Sequence, residues 1–547
     1  MKFCFLIILS FLSYFSISSY GTAQNEAKQA VSLNQQTENI PEVLPETFDS
    51  ILENKIKENE TSFDWNAPDD SFRRQILEMA YREYLNWPKP PKIRENLLAP
   101  LKINHLTGKY IEFYTDMPLN DSIQEIPVIA DSAVSFLCQY FQIDQNDLTD
   151  WRVEAFLMKT KEPFQKLGVL ERVPNFPHGY STGFRIFAMD HHIDYYNHFL
   201  LLHELVHAFM YRIFGSLNPR WFSEGMAEYL GLHLWNDQKL TLGIIPEQED
   251  QIEGFGRLRL IREKVQKNDV PSLKNILNFV PADFREVETY AWSWAFVLFL
   301  DRHPDYHENL QKMNYYMIFP DANKRFVALF ENRWDKLEND WKAFLLSFDY
   351  SYDFRFVQRD SSLGKPLDSF DQSQLIFKVS AAENWQNSGV RVEFGQNYRI
   401  DAIGRYQIAH PRKKISCEPN GITFEYYSGR PWGQLLAVVV PDLETGMTFD
   451  EFYQKQPLNS PFQRMNGRKT SQSNTSAKDQ NFNKEKKTKS DLLFPWNEIV
   501  AFDSTTKILN PNISGTLFFK INVPVSVLSQ NKGNIKVRIQ KAAQSRL

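Results

Sequence analysis

Residues 199–209 read Phe199-Leu200-Leu201-Leu202-His203-Glu204-Leu205-Val206-His207-Ala208-Phe209, and this stretch sets the reading of the whole chain. Apolar residues fall on every side of a helical projection, so the spacing predicts a buried helix over about residues 195–214, with Gly215 as its stop. His203 and His207 are four apart and share one face. Two neutral imidazoles projecting together suit Zn²⁺. Glu204 adjoins His203 on the same rim and can reach a water beside the metal without ligating it, the arrangement a water-activating hydrolase needs. The competing reading is coincidence. In a chain with 11 histidines a chance match is on the order of one per cent, and two core histidines would each need a hydrogen-bond partner.

Sixteen residues separate His207 from Glu224, which stands in Pro219-Arg220-Trp221-Phe222-Ser223-Glu224-Gly225-Met226-Ala227-Glu228-Tyr229. Pro219 suits a first helical turn, so a second, antiparallel helix is expected there. Its Glu224 would complete a three-ligand site with one position left for water. Gly225 would let the helices approach closely. Glu228, one turn on, is placed to accept a hydrogen bond from the far nitrogen of a ligating histidine. The alternative for Glu224 is a solvated helix start, where acids are common.

Outward from the motif, residues 110–115, 151–158 and 183–189 read as strands and 127–141 as a helix. Helical patterns run on to about residue 348. His191, His192 and His198 read as surface or packing histidines. Trp292 and Trp294 are two apart, so both cannot face one core side. Upstream, residues 71–84 have helical spacing, with Ile76, Met79, Ala80 and Tyr84 near one face, and Trp87-Pro88-Lys89-Pro90-Pro91 ends that helix.

The pattern His-Glu-x-x-His followed by Trp-x-x-Glu-Gly-x-Ala-Glu-Tyr resembles the gluzincin metallopeptidases, and most closely the bacterial peptidase MA-like group. The matching residues are His203, Glu204, His207, Trp221, Glu224, Gly225, Ala227, Glu228 and Tyr229. Tyr290-Ala291-Trp292-Ser293-Trp294-Ala295 and Leu337-Glu338-Asn339-Asp340-Trp341 extend the resemblance loosely over about residues 105–350. It implies a zinc-dependent peptide hydrolase of zincin-like form, a small sheet with helices, in which Glu204 is the general base and an upstream edge strand holds the substrate. Residues 183–189 are the expected edge, to which a peptide would add by main-chain hydrogen bonds. Relatives of this class often use a Tyr or His from a later helix to stabilise the oxyanion. Tyr290 is the candidate, with a core aromatic as its competing reading.

After residue 352 the texture changes to short β-branched runs at 375–379, 390–394, 398–402, 435–440, 515–521 and 535–539, which predicts an all-β sandwich. Trp385-Gln386-Asn387-Ser388-Gly389-Val390, Phe394-Gly395-Gln396-Asn397-Tyr398, Gly429-Arg430-Pro431-Trp432-Gly433-Gln434 and Asn531-Lys532-Gly533-Asn534-Ile535 resemble, in that order, the calcium-dependent galactose-binding bacterial lectin sandwich. The resemblance implies a Ca²⁺ site near Tyr406, Asn522 and Asn531 and a carbohydrate partner. Asn522 stands where the lectin has an acid, and Gln530 where a second Asn is expected; fewer charges weaken calcium binding. A structural or adhesive sandwich without that site therefore stays open.

The partition that follows is a signal peptide at 1–23, a polar leader at 24–60, a helical segment at 61–105, a zincin-like domain at 106–350, a linker at 351–375 and a sandwich at 376–541 with a polar insertion at 463–490. The fold class is α+β. The 547 residues carry 62 Lys+Arg against 67 Asp+Glu, a net charge of −5, which argues against a nucleic-acid partner. Apart from the signal, no run is apolar and long enough to span a bilayer. Of 3 cysteines, Cys138 and Cys417 fall in the mature chain and read as buried thiols rather than a bridge. The chain thus reads as a secreted, periplasmic or cell-surface bacterial peptidase acting on proteins or peptides. The alternative is a non-catalytic carbohydrate-binding or adhesive protein with a structural metal.

Overall fold

Val153, Ala155 and Leu157 point into one cluster of buried side chains, and Phe156 and Met158 into another. A strand covered on both faces belongs inside a sheet, with parallel neighbours. In the computed structural model it pairs in parallel with Ile111–Thr115 on one side and Arg185–Met189 on the other. Numbered along the chain, β1 (Asn104–Thr107), β2 (Ile111–Thr115), β3 (Val153–Met158), β4 (Gly179–Ser181) and β5 (Arg185–Met189) form a five-stranded sheet in the order β1-β2-β3-β5-β4. The outer strands β1 and β4 pair antiparallel to their neighbours.

This order corrects the expected edge. Residues 185–189 are internal, and the edge is β4, in register Tyr180↔Phe187. Three residues followed by a left-handed Gly183 at φ 83° are too short and turn-like to read as a strand.

The structure describes residues 89–441 and 499–542, except 268, 318, 320, 331, 332, 358, 359, 361, 371–373, 411 and 412, together with parts of a helix between 74 and 85. The expected signal, leader and polar insertion lie outside the described residues. Within the upstream helix, Ala80 and Tyr84 are buried as expected. The described residues belong to one compact unit.

Helix α1 (Asp121–Tyr140) and helix α2 (Asp194–Phe214) contribute to the first of those clusters. The first starts six residues before the expected position, because Asn120 caps it by accepting from the Ile123 amide, leaving Pro127 inside the helix. Every residue of α2 from Asn197 to Met210 is buried, and Gly215 ends it at φ 64°. Helix α3 (Arg220–Gly231) follows, buried from Trp221 onward. The run of helices is then broken by a hairpin, β6 (His233–Asn236) and β7 (Lys239–Leu242). Its two turn residues, Asp237 and Gln238, take φ of 50° and 58°, a turn that lacks the glycine by which such hairpins are recognised. Helices α4 (Arg257–Gln266) and α5 (Val287–Arg302) complete the surroundings of the site. Trp292 and Trp294 are both buried, because α5 is enclosed on all sides from Ala291 to Asp301.

From Lys365 onward the described residues are mostly strands. Val500–Ala501, Leu435–Pro441, Gly515–Ile521, Gln386–Val392 and Lys365–Pro366 form one sheet in that order. Thr506–Leu509, Tyr398–Ile403, Asn534–Lys541 and Gln374–Ser380 form a second. Phe377 of the second sheet and Phe519 of the first stack their rings at 6.1 Å. Contact with the helical part comes from Tyr427, on a separate two-stranded ribbon, whose hydroxyl donates to Asp349 Oδ2 at 2.8 Å, and from Asn384, in a connecting segment, which donates to Ser347 Oγ at 2.9 Å. The chain is therefore a mixed α+β protein with several sheets. Cys138 and Cys417 are buried free thiols, both pushed up to about 11 by burial. Among the described residues, no helix is long and apolar enough to cross a membrane.

Candidate metal centre

Helix α2 carries His203 and His207 one turn apart, and α3 brings Glu224 up to them. Gly225 lets α3 pack closely on α5 rather than on α2: a Cβ there would lie 2.5 Å from the Ser293 carbonyl oxygen of α5. His207 Nε2 stands 3.2 Å from His203 Nε2 and 3.1 Å from Glu224 Oε2, and His203 Nε2 stands 3.5 Å from the same oxygen. All three residues are buried, and they are the one such group of three among the described residues.

Those spacings match what a zinc ion requires. Ligands about 2.0–2.1 Å from a tetrahedral Zn²⁺ are separated by about 3.3 Å. The two Nδ1 atoms are buried without a hydrogen bond, so the Nε2 edges are the ones turned together. Two imidazole nitrogens and a carboxylate oxygen converging in a dry site form a donor set that fits zinc.

One acid and one arginine support this triad, and a second acid flanks it. Glu228 is 1 % exposed; its Oε1 lies 3.7 Å from His203 Nδ1, and it receives Arg257 Nε at 3.1 Å and Nη2 at 3.2 Å. Arg220, one turn before Glu224, places Nη1 3.5 Å from Glu224 Oε1. Glu204 is buried beside the triad, where β4 passes so closely that a Cβ on Gly179 would collide with Glu204 Oε1. Arg220, Arg257 and Gly179 escape the sequence reading. Arg220 carried a usable signal, four residues before a candidate ligand on the same helix.

Burial pushes Glu204 up to about 8; His203 opposes the shift, and Glu224 and Glu228 add to it. Burial acts against the Glu224 carboxylate too, but both imidazoles outweigh it and hold it well below the usual range. The two histidines part company. Burial lowers both, but at His203 the surrounding carboxylates of Glu224, Glu204 and Glu228 win, while His207 stays low.

Tyr290 stands next to the site, its ring centred 6.3 Å from His203 and 5.0 Å from Phe284. Burial raises its phenol well above the usual value, with Glu224, Glu228 and Glu204 adding to the shift. The other histidines are elsewhere. His198 bonds Ser122, His192 pairs with Asp190, and His191 Nε2 meets His178 Nδ1 at 3.1 Å.

The lectin-like residues have other partners. Tyr406 donates to the carbonyls of Gly433 and Glu418, Asn522 to those of Tyr427, Arg430 and Pro431, and Asn531 to that of Ala381 while accepting from the Ala409 amide. Such side chains brace loops, and without carboxylate charge this donor set does not fit calcium. Neither a comparison with models of protein families nor a search of curated proteins finds a match for this chain.

Proposed function

We propose that this chain is an exported zinc-dependent peptide hydrolase. In this reading its helical part and first sheet have zincin-like form, and its two facing sheets make an accessory lectin-like sandwich that positions it on a substrate or glycan. The division falls near residues 351–375. The observation that carries the reading is the convergence of His203, His207 and Glu224, with the non-ligating Glu204 held between them and the sheet edge β4.

Zinc held by those three residues would supply a Lewis acid and an activated water at neutral pH. The chain's own groups do the rest. An extended peptide adds to the outer edge of β4 through main-chain hydrogen bonds, which lays its backbone across Glu204. Glu204 accepts the proton of the attacking water and returns it to the leaving amine. A dication held beside Glu204 would offset the effect of burial and favour its carboxylate, the form that accepts a proton. Tyr290 is the candidate donor to the developing oxyanion. Glu228, fixed by Arg257, orients His203. A purely structural zinc site needs no extra carboxyl group kept dry beside it.

The test compares zinc content and cleavage of a mixed peptide library for the mature chain and for Glu204→Gln. Retained zinc in both proteins, with cleavage lost in the variant, supports the reading. Equal inactivity of both sinks it.

A further inference from the structure

Arg220 reaches the ligand carboxylate from the outer side of the site. Glu224 turns Oε2 toward the histidines, and Arg220 Nη1 lies 3.5 Å from the other oxygen, with 29 % of its side chain accessible. Its Nε is buried and has no hydrogen-bond partner. A guanidinium is a planar fork of five donors, and one contact at 3.5 Å leaves most of them unused.

Electrostatics link this group to the sheet edge proposed to hold substrate. Gly179 of β4 packs on Glu204, and the next residue, Tyr180, feels both the Arg220 cation and the Glu204 anion. Tyr211 on α2 feels the same two charges together with Glu224. Of the three nearby acids, Glu228 is committed to Arg257 and Glu224 would be shared with the metal, which leaves Glu204 as the one without an ion-pair partner. With a dication bound, the metal and Arg220 together outweigh the Glu204 and Glu224 carboxylates by one positive charge. Forked Arg–carboxylate pairing is the interaction that satisfies it.

Resting on the peptidase reading above, we propose that Arg220 is a specificity-determining residue that receives a substrate carboxylate close to the scissile bond, so that the chain acts on acidic peptides. The carboxylate has two sources, an Asp or Glu side chain or the free C-terminus of the substrate. The second would make the enzyme a carboxypeptidase.

The experiment uses the full mature chain, saturated with zinc, and one peptide sequence in three forms. These are an all-Gln peptide with an amidated C-terminus, the same peptide with Glu replacing Gln at each position in turn, and the all-Gln peptide with a free C-terminus. Cleavage is read as kcat/KM on the wild type. Binding is read by calorimetry on Glu204→Gln, which separates recognition from turnover. One acidic form is expected to exceed its neutral counterpart about tenfold in both readouts. Adding Arg220→Gln should bring that ratio to about one, and Arg220→Lys should keep part of it, because charge survives while the fork is lost. A gain confined to the free C-terminus assigns the terminal carboxylate as the source. No acidic preference at any position, or a preference unchanged in Arg220→Gln, overturns the proposal. Arg220-dependent binding of acidic peptides without cleavage would remove the peptidase reading and leave the carboxylate site standing. Cleavage without acidic preference would do the reverse.

Discussion

Arg257 grips Glu228 at two points, Nε to Oε2 at 3.1 Å and Nη2 to Oε1 at 3.2 Å, inside a site closed to solvent. That grip holds the carboxylate against His203 Nδ1, 3.7 Å away and otherwise unpartnered. A proton held on Nδ1 leaves the Nε2 lone pair for the metal. Glu228→Gln keeps the shape but weakens this acceptor, so zinc affinity should fall about 10–100-fold in a chelator competition. Glu228→Ala does something different. It leaves Arg257 buried and unpaired, at about 3–5 kcal/mol of stability, which a lowered Tm would register. Identical zinc affinity in Glu228→Gln and wild type would refute the orienting role.

Gly179→Ala probes the contact between the sheet edge and the acid. The added methyl would collide with Glu204 Oε1 and lie 3.1 Å from Glu204 Cδ, while no backbone atom is among its nearest contacts. A carboxylate end can swing aside, so the fold should lose less than about 1 kcal/mol. Displacing the general base costs rate, because about 1 Å of misplacement is worth about 10²-fold. The expected result is normal zinc content, a near-normal Tm and a fall in kcat of about a hundredfold. A large loss of stability with unchanged kcat would contradict it.

The contrast between these two positions also shows what was legible in the sequence. His203, Glu204 and His207 sit on one buried helix, and Glu224 and Glu228 on the next, so local periodicity alone places them on shared faces. Arg257 lies 29 positions beyond Glu228, in the polar run Arg257–Gln266, and only the packing of α4 brings it back. Gly179 reaches Glu204 through sheet order, and a three-residue edge strand leaves no alternation to read. The internal strand β2 is visible in the alternation of residues 110–115, and β3 and β5 in their mostly apolar runs. The hairpin β6–β7 was not, because its turn uses Asp237 and Gln238 where glycine would have signalled it. In the sheets the strong strands were readable. Tyr406, Asn522 and Asn531 fall near the places of the lectin pattern, but Asn522 to Asn531 is one residue longer than that pattern, and their polar atoms go to loop carbonyls and amides.

Removing the metal should cost stability as well as activity. Without a cation, two imidazoles and a carboxylate converge within 3.5 Å in a buried site, with both Nδ1 atoms unpartnered. A ligand present at a hundred times its Kd stabilises the native state by about 2.7 kcal/mol. Treating the chain with a chelator should lower Tm by a few degrees, and stoichiometric zinc should restore it. His203→Ala should abolish that zinc dependence. A Tm indifferent to chelation in zinc-loaded protein would show that the three residues do not hold the ion.

A last prediction concerns Lys520, far from the metal. It lies on strand Gly515–Ile521, on the sheet face that carries Leu436 and Phe518, with Nζ 5.6 Å from the ring centre of Trp385. Asp349 is close enough to be felt, but it is already held by Arg262 at 2.7 Å and Tyr427 at 2.8 Å. Burial therefore dominates and pushes the Lys520 ammonium down from 10.5 to about 8. Below pH 8 the side chain is charged in both folded and unfolded chains, and the folded state bears the full penalty, about 3 kcal/mol. Between pH 8 and 10.5 the unfolded chain still holds a proton that the folded chain has released, so stability rises with pH across that window. Lys520→Met keeps the stem and removes the charge. It should stabilise the protein at pH 7 by up to about 3 kcal/mol, and the gain should fade as pH rises through that window. Urea unfolding of both proteins from pH 6 to 11 gives the comparison. A variant less stable than wild type at pH 7 would mean that the ammonium is satisfied where it lies.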